Sequence, residues 1–321
     1  MTIASTTLAE ARAARERIAR FVVRTPLVPA WLEGADEPPV LLKLEVLQPI
    51  GSFKLRGASH ALAVADPKAL ARGVWTASAG NMAQGVAWQA RRLGVPCVVV
   101  APDHAPRAKL DPLERLGARV QLIPFAEWFE ILRTHAYPGM QGVFVHPVSD
   151  PAVMAGNATI ALELIEDRPD LTDVIVPWGG GGLSCGIAGA MRELAPHVAV
   201  WACEVDTAAP LAASLAAGEP TRVEYRASFV DGIGGPFVLP EMWPLASSLL
   251  AGSIVVTIPQ VAEAVRLLAT RAHVIAEGAG ASSVAAARTG RAGTGRVACI
   301  VSGGNIDPAK LGVILAGGVP T

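Results

Sequence analysis

Lysine is scarce in this 321-residue chain: of 27 basic residues only five are lysine, at Lys43, Lys54, Lys68, Lys109 and Lys310. The skew is ordinary composition for an Ala- and Arg-rich sequence, but chemistry that needs an amine nucleophile has only these five to choose from. Cysteine is as sparse. The four thiols, Cys97, Cys185, Cys203 and Cys299, are scattered without a CxxC or a Cys/His cluster. That argues against a disulfide framework and a zinc site, and for a reducing compartment. Neither sign of charge is in excess, with 27 basic against 28 acidic residues and a net charge of −1. A nucleic-acid or membrane-surface partner is therefore not expected. Mean hydropathy is high at +0.40, yet no apolar run reaches the roughly 18–20 residues of a membrane span. At the N-terminus Glu10 and Glu16 break up the arginines and Leu8, Ile18, Phe21 and Val22 are spaced along one stretch. A capped surface helix fits this better than a signal peptide, and a cytoplasmic location is expected.

What the chain does have is alternation. Short β-branched runs at 40–45, 74–78, 96–101, 119–123, 143–146, 174–178, 199–205, 253–258 and 297–302 read as strands. Ala/Leu-rich stretches with helical spacing separate them, among them 81–93, 106–117, 125–134, 152–166, 184–195 and 259–270. Strands apolar on both faces, separated by helices, predict an α/β fold of mostly parallel sheets with helices on both faces. So many units fit two sheets better than one. Ligands of such folds sit beyond the carboxyl ends of strands. Attention therefore falls on the loops after 40–45, 74–78, 174–178 and 297–302.

All four are unusual. Trp178-Gly179-Gly180-Gly181-Gly182-Leu183-Ser184 places four glycines between a strand and a helix. Such a turn aims backbone N–H groups at one point, where the helix dipole adds positive potential, and so suits a phosphate. It lacks the G-x-G-x-x-G spacing and the GK[ST] of nucleotide sites, which favours a single phosphate. Gly51-Ser52-Phe53-Lys54 puts a lysine at a helix start beside an aromatic ring. Dipole potential and desolvation both disfavour the ammonium there and free the amine for Schiff-base chemistry. Ser78-Ala79-Gly80-Asn81-Met82 forms a third strand-to-helix turn, suited to a carboxylate, in which Ser78 is a candidate helix cap. Ser302, in VSGGN, presents a neutral hydroxyl at a strand end.

An imine-forming lysine, a one-phosphate cradle, an Asn turn and a strand-end hydroxyl together point to pyridoxal 5′-phosphate. The segments LLKLEVLQPIGSFKLRGA, SAGNMAQGVA, GNATIALELIED, VPWGGGGLSCGIA, DGIGG, AEGAGASSVAAA and IVSGGNID occur in that order. With them the chain resembles, over nearly its whole length, the threonine/serine dehydratase family of fold-type-II (tryptophan-synthase-β-like) pyridoxal-phosphate enzymes.

The resemblance implies that Lys54 carries the cofactor and then acts as base on the substrate Cα. It implies that Phe53 packs on the ring and Asn81 bonds its 3′-oxygen. Gly179, Gly180, Gly181, Gly182 and Leu183 would hold the phosphate. Ser302 would face the pyridine nitrogen, where a hydroxyl leaves the ring a weaker electron sink than a carboxylate would. Glu277 matches a family glutamate near the cofactor, and Asp231 and Gly232 match a loop on the substrate side. Ser78, Ala79, Gly80, Asn81 and Met82 would contact the substrate. Met82 stands where the family has histidine, and Trp178 where a smaller residue is common. Each departure either reshapes the pocket or is simple repacking. Ala79 replaces the serine that serine racemases use on the opposite face of Cα, which disfavours racemisation. The family's cation site would use Glu204 and Ala208, but Pro210 takes its last position, so no metal is expected. The six histidines carry no motif and read as structural.

The activity so implied is removal of the β-hydroxyl of a 3-hydroxy amino acid, giving a 2-oxo acid and ammonium. Alternatives are a lyase for another β-substituted amino acid such as 3-hydroxyaspartate or phenylserine, a racemase, or a non-catalytic pyridoxal-phosphate-binding relative. The partner expected is a small-molecule amino acid, and the state a homo-oligomer. Residues 1–69 and 146–321 should form a large cofactor-binding domain, and 70–145 a small mobile domain carrying the Asn loop. The chain ends soon after SGGNID, so no C-terminal regulatory domain is expected.

Overall fold

Every β-branched run singled out above forms a strand in the computed structural model, which describes residues 3–32, 40–293 and 295–320. The strands are β1 (Leu27–Ala30), β2 (Val40–Leu44), β3 (Val74–Ala77), β4 (Cys97–Pro102), β5 (Arg119–Ile123) and β6 (Val143–Phe144). They continue with β7 (Asp173–Pro177), β8 (Ala199–Val205), β9 (Gly252–Val256) and β10 (Val297–Val301). They make two sheets. One has six strands in the order β1-β2-β10-β7-β8-β9, the other four in the order β5-β4-β3-β6. All neighbours are parallel except β1 against β2. The strand β1 is absent from the sequence reading. It contains Pro29, which a sheet accepts only at an edge, and at an edge it sits.

Period-2 alternation explains the layers of the larger sheet. Val174, Val176 and Ile300 point to one face, where Met154, Ile160 and Leu164 of the helix Pro151–Asp167 and Ile187 and Met191 of Ser184–Leu194 cover them. Ile175, Cys299 and Val301 point to the other, under Val261, Val265 and Leu268 of Ile258–Arg271 and Val284 of Gly278–Ala287. The smaller sheet has its own core, with Val86, Leu110 and Leu113 on one side and Ile131 on the other. Its strands all lie between Val74 and Phe144.

The topology makes two crevices that meet. The chain leaves β2 for the small sheet, returns through β7, β8 and β9, and comes back to insert β10 between β2 and β7. In the small sheet β3 is flanked by β4 on one side and β6 on the other. A crevice opens at the carboxyl ends where strand order reverses. Here those ends lead into Ser302 and Trp178 in one sheet, and into Ser78 and the turn after Phe144 in the other.

The N-terminal segment forms the capped helix Leu8–Ile18, with a reciprocal box between Thr7 and Glu10. Among the described residues no helix is long and apolar enough to cross a membrane.

Candidate active site

Lys54 is the first residue of the helix Lys54–Ala63. The preceding stretch is pinned to the end of β10: Phe53 N donates to Ser302 O at 2.9 Å, and Ser52 bridges Gly303. The amine is half-buried. It lies 5.1 Å from the Phe53 ring centroid and donates to the Pro147 carbonyl at 2.7 Å. Burial lowers its pKa to about 8, with Glu277 acting weakly the other way. The other four described lysines are differently placed, Lys310 on the helix Pro308–Leu315 beyond β10. Lys43 is fully buried against Glu163 at 2.6 Å, Lys109 pairs with Asp231 at 2.7 Å, and Lys68 is exposed.

Lys43 belongs to a feature that sequence reading missed. Arg56, two residues after Lys54, forks onto Glu45 through Nε and Nη2, both at 2.8 Å. It also reaches Glu163 at 2.7 and 2.9 Å. Thr25 Oγ1 donates to Glu45 at 2.6 Å, and Lys43 Nζ donates to Glu163 Oε2. Burial pushes the Glu45 carboxyl up, but the Arg56 guanidinium outweighs it and holds the group below the usual range. Two cations and two anions thus fasten the helix that begins at Lys54.

The glycine turn is shaped by contact as well as by any ligand. Gly181 has φ +98°, and a Cβ there would meet the Trp178 ring at 2.5 Å. The Trp178 ring is 1 % exposed and packs under the turn beside Met242, so it fills the core and does not narrow the crevice. A Cβ at Gly180 would meet Val148 Cγ1 at 2.5 Å, and one at Gly182 would meet Val148 O at 2.6 Å. Leu183 precedes the helix Ser184–Leu194. The Ser184 hydroxyl is buried there without a hydrogen-bond partner among the described residues. An orphaned hydroxyl beside a helix N-terminus, in a turn with no room for side chains, fits a phosphate.

On the facing side the helix Asn81–Leu93 begins at Asn81 with Gly80 as N-cap. Ser78 does not cap it, because its hydroxyl instead accepts from Gly80 N at 3.2 Å, ahead of the helix. The Ala79 side chain packs on the small-sheet core, and Met82 lies inside it. Substrate contact at Met82 would have to come from its backbone. Asn81 Nδ2 donates to Glu277 Oε1 at 2.8 Å, and Asn81 Oδ1 accepts from Asn305 Nδ2 at 2.7 Å. Asn305 also donates to Ile50 O at 2.9 Å, so the Asn turn, the Lys54 loop and the end of β10 are joined. Burial, reinforced by Asp231, raises Glu277 to about 7 against the opposing pull of Asn81, Lys109 and Lys54. Gly232 abuts Glu277, where a Cβ would come within 3.4 Å of Oε1. Ser302 is buried at the end of β10.

Asn305, Pro147, Val148 and Ser184 were given no role in the sequence reading. Asn305 and Ser184 carried a signal, through their places in SGGNID and in the glycine motif. Glu204 is engaged in capping a helix. Its oxygens accept from Leu211 N at 2.9 Å, Ala212 N at 2.8 Å and Ser253 Oγ at 2.6 Å, starting the helix Pro210–Ala217. Among the described residues no three His, Cys, Asp or Glu side chains are grouped to hold a metal.

Known proteins share this fold and much of this sequence. The chain is 39% identical over 306 residues to an L-threonine ammonia-lyase of Thermotoga maritima, covering 94% of this chain and 76% of that protein. Its fold superposes on a T.th. threonine deaminase with a TM-score of 0.86 at 33% identity, covering 94% of this chain and 99% of that one. Maize serine racemase superposes equally well, at 0.86 and 29% identity, covering 96% of each chain. The sequence profile of one family matches residues 18–303, and the chain belongs to that family, the pyridoxal-phosphate dependent enzymes.

Proposed function

We propose that this lyase removes the β-hydroxyl from a 3-hydroxy amino acid of the serine/threonine type, L-threonine first among them. The Lys54 amine carries the reading. It is half-buried, lowered to about 8 and held by a carbonyl, not a carboxylate, between the glycine turn and the end of β10. The 39% identity to a named L-threonine ammonia-lyase supports threonine over other substrates.

Bound pyridoxal phosphate supplies an electron sink that acidifies the substrate Cα–H. Residues of this chain do the rest. Lys54 Nζ takes the Cα proton and holds it. The released electron pair forms a Cα–Cβ double bond as the C–O bond breaks, and the hydroxide leaves as water with the proton that Lys54 Nζ held. The enamine freed from the site tautomerises and hydrolyses to a 2-oxo acid and ammonium. The glycine turn and Ser184 hold the phosphate. Asn81 has one amide N–H left for the ring oxygen, beyond the one given to Glu277. The Ser78 hydroxyl donates to the substrate carboxylate, and the Gly80 N–H, given to Ser78 before binding, turns to it as well. Ser302 would give the pyridine nitrogen a neutral partner, leaving a weaker electron sink, which favours elimination.

Residues 70–145 form the small domain in this reading, closing on the remainder. Lys109–Asp231 and Asn81–Glu277 span the two parts and would part on opening.

Two results are expected. In a screen of L- and D-serine, L- and D-threonine, 3-hydroxyaspartate and phenylserine, L-threonine gives the highest kcat/KM for keto-acid release. Racemised amino acid stays minor, because Ala79 offers no second acid–base group. A faster reaction with 3-hydroxyaspartate, or racemisation outpacing keto-acid release, would move the assignment to those alternatives. Cofactor capture by the apoenzyme should accelerate as pH rises through about 8, since only the neutral amine attacks. At pH 8 about half of a Lys54 amine is neutral, against about 0.3% for an ordinary lysine. Stopped-flow appearance of the visible cofactor band checks this: the rate should level off just above pH 8, and a rate that keeps climbing about tenfold per pH unit to pH 10 would show an unperturbed amine.

A further inference from the structure

The turn after β6 touches both halves of the cofactor site, and one buried histidine shapes it. His146 is 2 % exposed. Its Nδ1 accepts from Ser149 N at 2.7 Å, Val148 N at 3.1 Å and Ser149 Oγ at 3.0 Å. An imidazole nitrogen that accepts two backbone N–H groups carries no proton, so the ring is neutral and protonated at Nε2. Nε2 then donates to Leu132 O at 3.1 Å. Burial, with His135 and Lys54 nearby, pushes the His146 pKa down to about 3, which keeps this tautomer at all working pH values. The His135 ring stacks on it at 4.4 Å between centroids, so its orientation is fixed from every side.

The two residues that follow are the ones the site uses. The Pro147 carbonyl is the acceptor for Lys54 Nζ, and Val148 lies against Gly180 and Gly182 of the phosphate turn. Proline has no N–H to tie it down, and so the direction of its carbonyl depends on how the next two peptide units are held. Nδ1 of His146 holds both. We infer that His146 is a positioning residue: by gathering the Val148 and Ser149 N–H groups it aims the Pro147 carbonyl at the Lys54 amine and seats Val148 beneath the glycine turn. The histidine touches neither cofactor nor substrate and acts through the turn. This role rests on the lyase reading above for the identity of the amine's task, though not for the geometry.

The test compares two substitutions in the holoenzyme. His146→Phe keeps the ring volume and removes both nitrogens. His146→Asn returns a carboxamide oxygen as acceptor close to the Nδ1 position. The Phe variant should bind pyridoxal phosphate at least about tenfold more weakly, as misplacing one buried hydrogen bond implies. Its kcat at saturating cofactor should fall about tenfold with KM for threonine little changed, because the base, not substrate binding, is displaced. The Asn variant should recover both to within about threefold. If the folded Phe variant binds cofactor and turns over like the native enzyme, or if Asn fails to rescue, the inference is wrong. Should the Phe protein not fold, His146→Gln keeps a donor for Leu132 O but lacks an acceptor at the Nδ1 position and should weaken cofactor binding about tenfold; unchanged binding there overturns the inference as well. The native protein's visible cofactor band, and its loss on replacing Lys54, test the lyase reading separately. A native band with an indifferent His146 condemns only the positioning role.

Discussion

Lys54→Ala should lose the visible cofactor band and reduce keto-acid release by at least about 10³-fold, since base and cofactor anchor are the same atom. The protein should nevertheless fold. With both proteins in the apo form, its melting temperature should be unchanged or raised relative to the native sequence, because burial disfavours the Lys54 ammonium and removing a disfavoured charge costs nothing. The sign follows from the lowered pKa: the native state binds the proton less tightly than the unfolded chain does. Its stability therefore improves as pH rises from about 8 toward the ordinary lysine value of 10.5, and the Ala variant should lack that improvement. Absorbance spectra, ammonium assay and thermal melts at pH 7.5 and 9.5 check all of this. Retained activity would give the amine's role to another residue.

The second large effect concerns stability. Arg56→Ala strands the Glu45 carboxylate inside the protein and leaves Glu163 with only the Lys43 ammonium as counter-charge, each having lost a guanidinium held at 2.7–2.9 Å. Breaking one partner out of such a buried cluster costs about 3–5 kcal/mol, because the remaining charges cannot be rehydrated. Urea unfolding followed by circular dichroism should show it, and a loss below about 1 kcal/mol would mean that water reaches the carboxylates. pH dependence gives a second view. Glu45 is held below its usual 4.5, so its contribution is complete above that value and fades as pH falls through the folded-state pKa. The native protein should lose this increment in acid, and an Arg56 variant should not show it.

Sequence legibility followed the strength of the local signal. The nine strands read from β-branched runs were visible because parallel strands covered on both faces must be apolar throughout. The helix Gly278–Ala287 was not. Its sequence, GAGASSVAAA, has no polar face, because Gly278 through Ala286 are all buried and small enough to approach β10 and the Gly303 backbone. A helix buried all round carries no 3.6-residue period. The same limit applied to the site. Lys54 announced itself by a helix start and an aromatic neighbour, and the glycine turn by its composition. Pro147 acts through a carbonyl and Val148 through its shape, which no residue type advertises. His146, read as structural for want of a motif, owes its interest to three donors arriving from its own turn. Trp178 and Met82 looked like pocket substitutions because they border motif residues. Their side chains go instead to the two cores, as strand alternation and helix facing dictate. The four buried charges around Arg56 were hidden for a simpler reason. Residues 25, 43, 45, 56 and 163 are brought together only by the fold.

Elimination across Cα and Cβ leaves its mark on the products formed from L-threonine in deuterated water. Ammonium and 2-oxobutanoate should form in equal amounts, with deuterium at C3 of the keto acid where the enamine took its proton from solvent. Threonine that acquires deuterium at Cα without releasing ammonium, or glycine and an aldehyde in place of the keto acid, would contradict it.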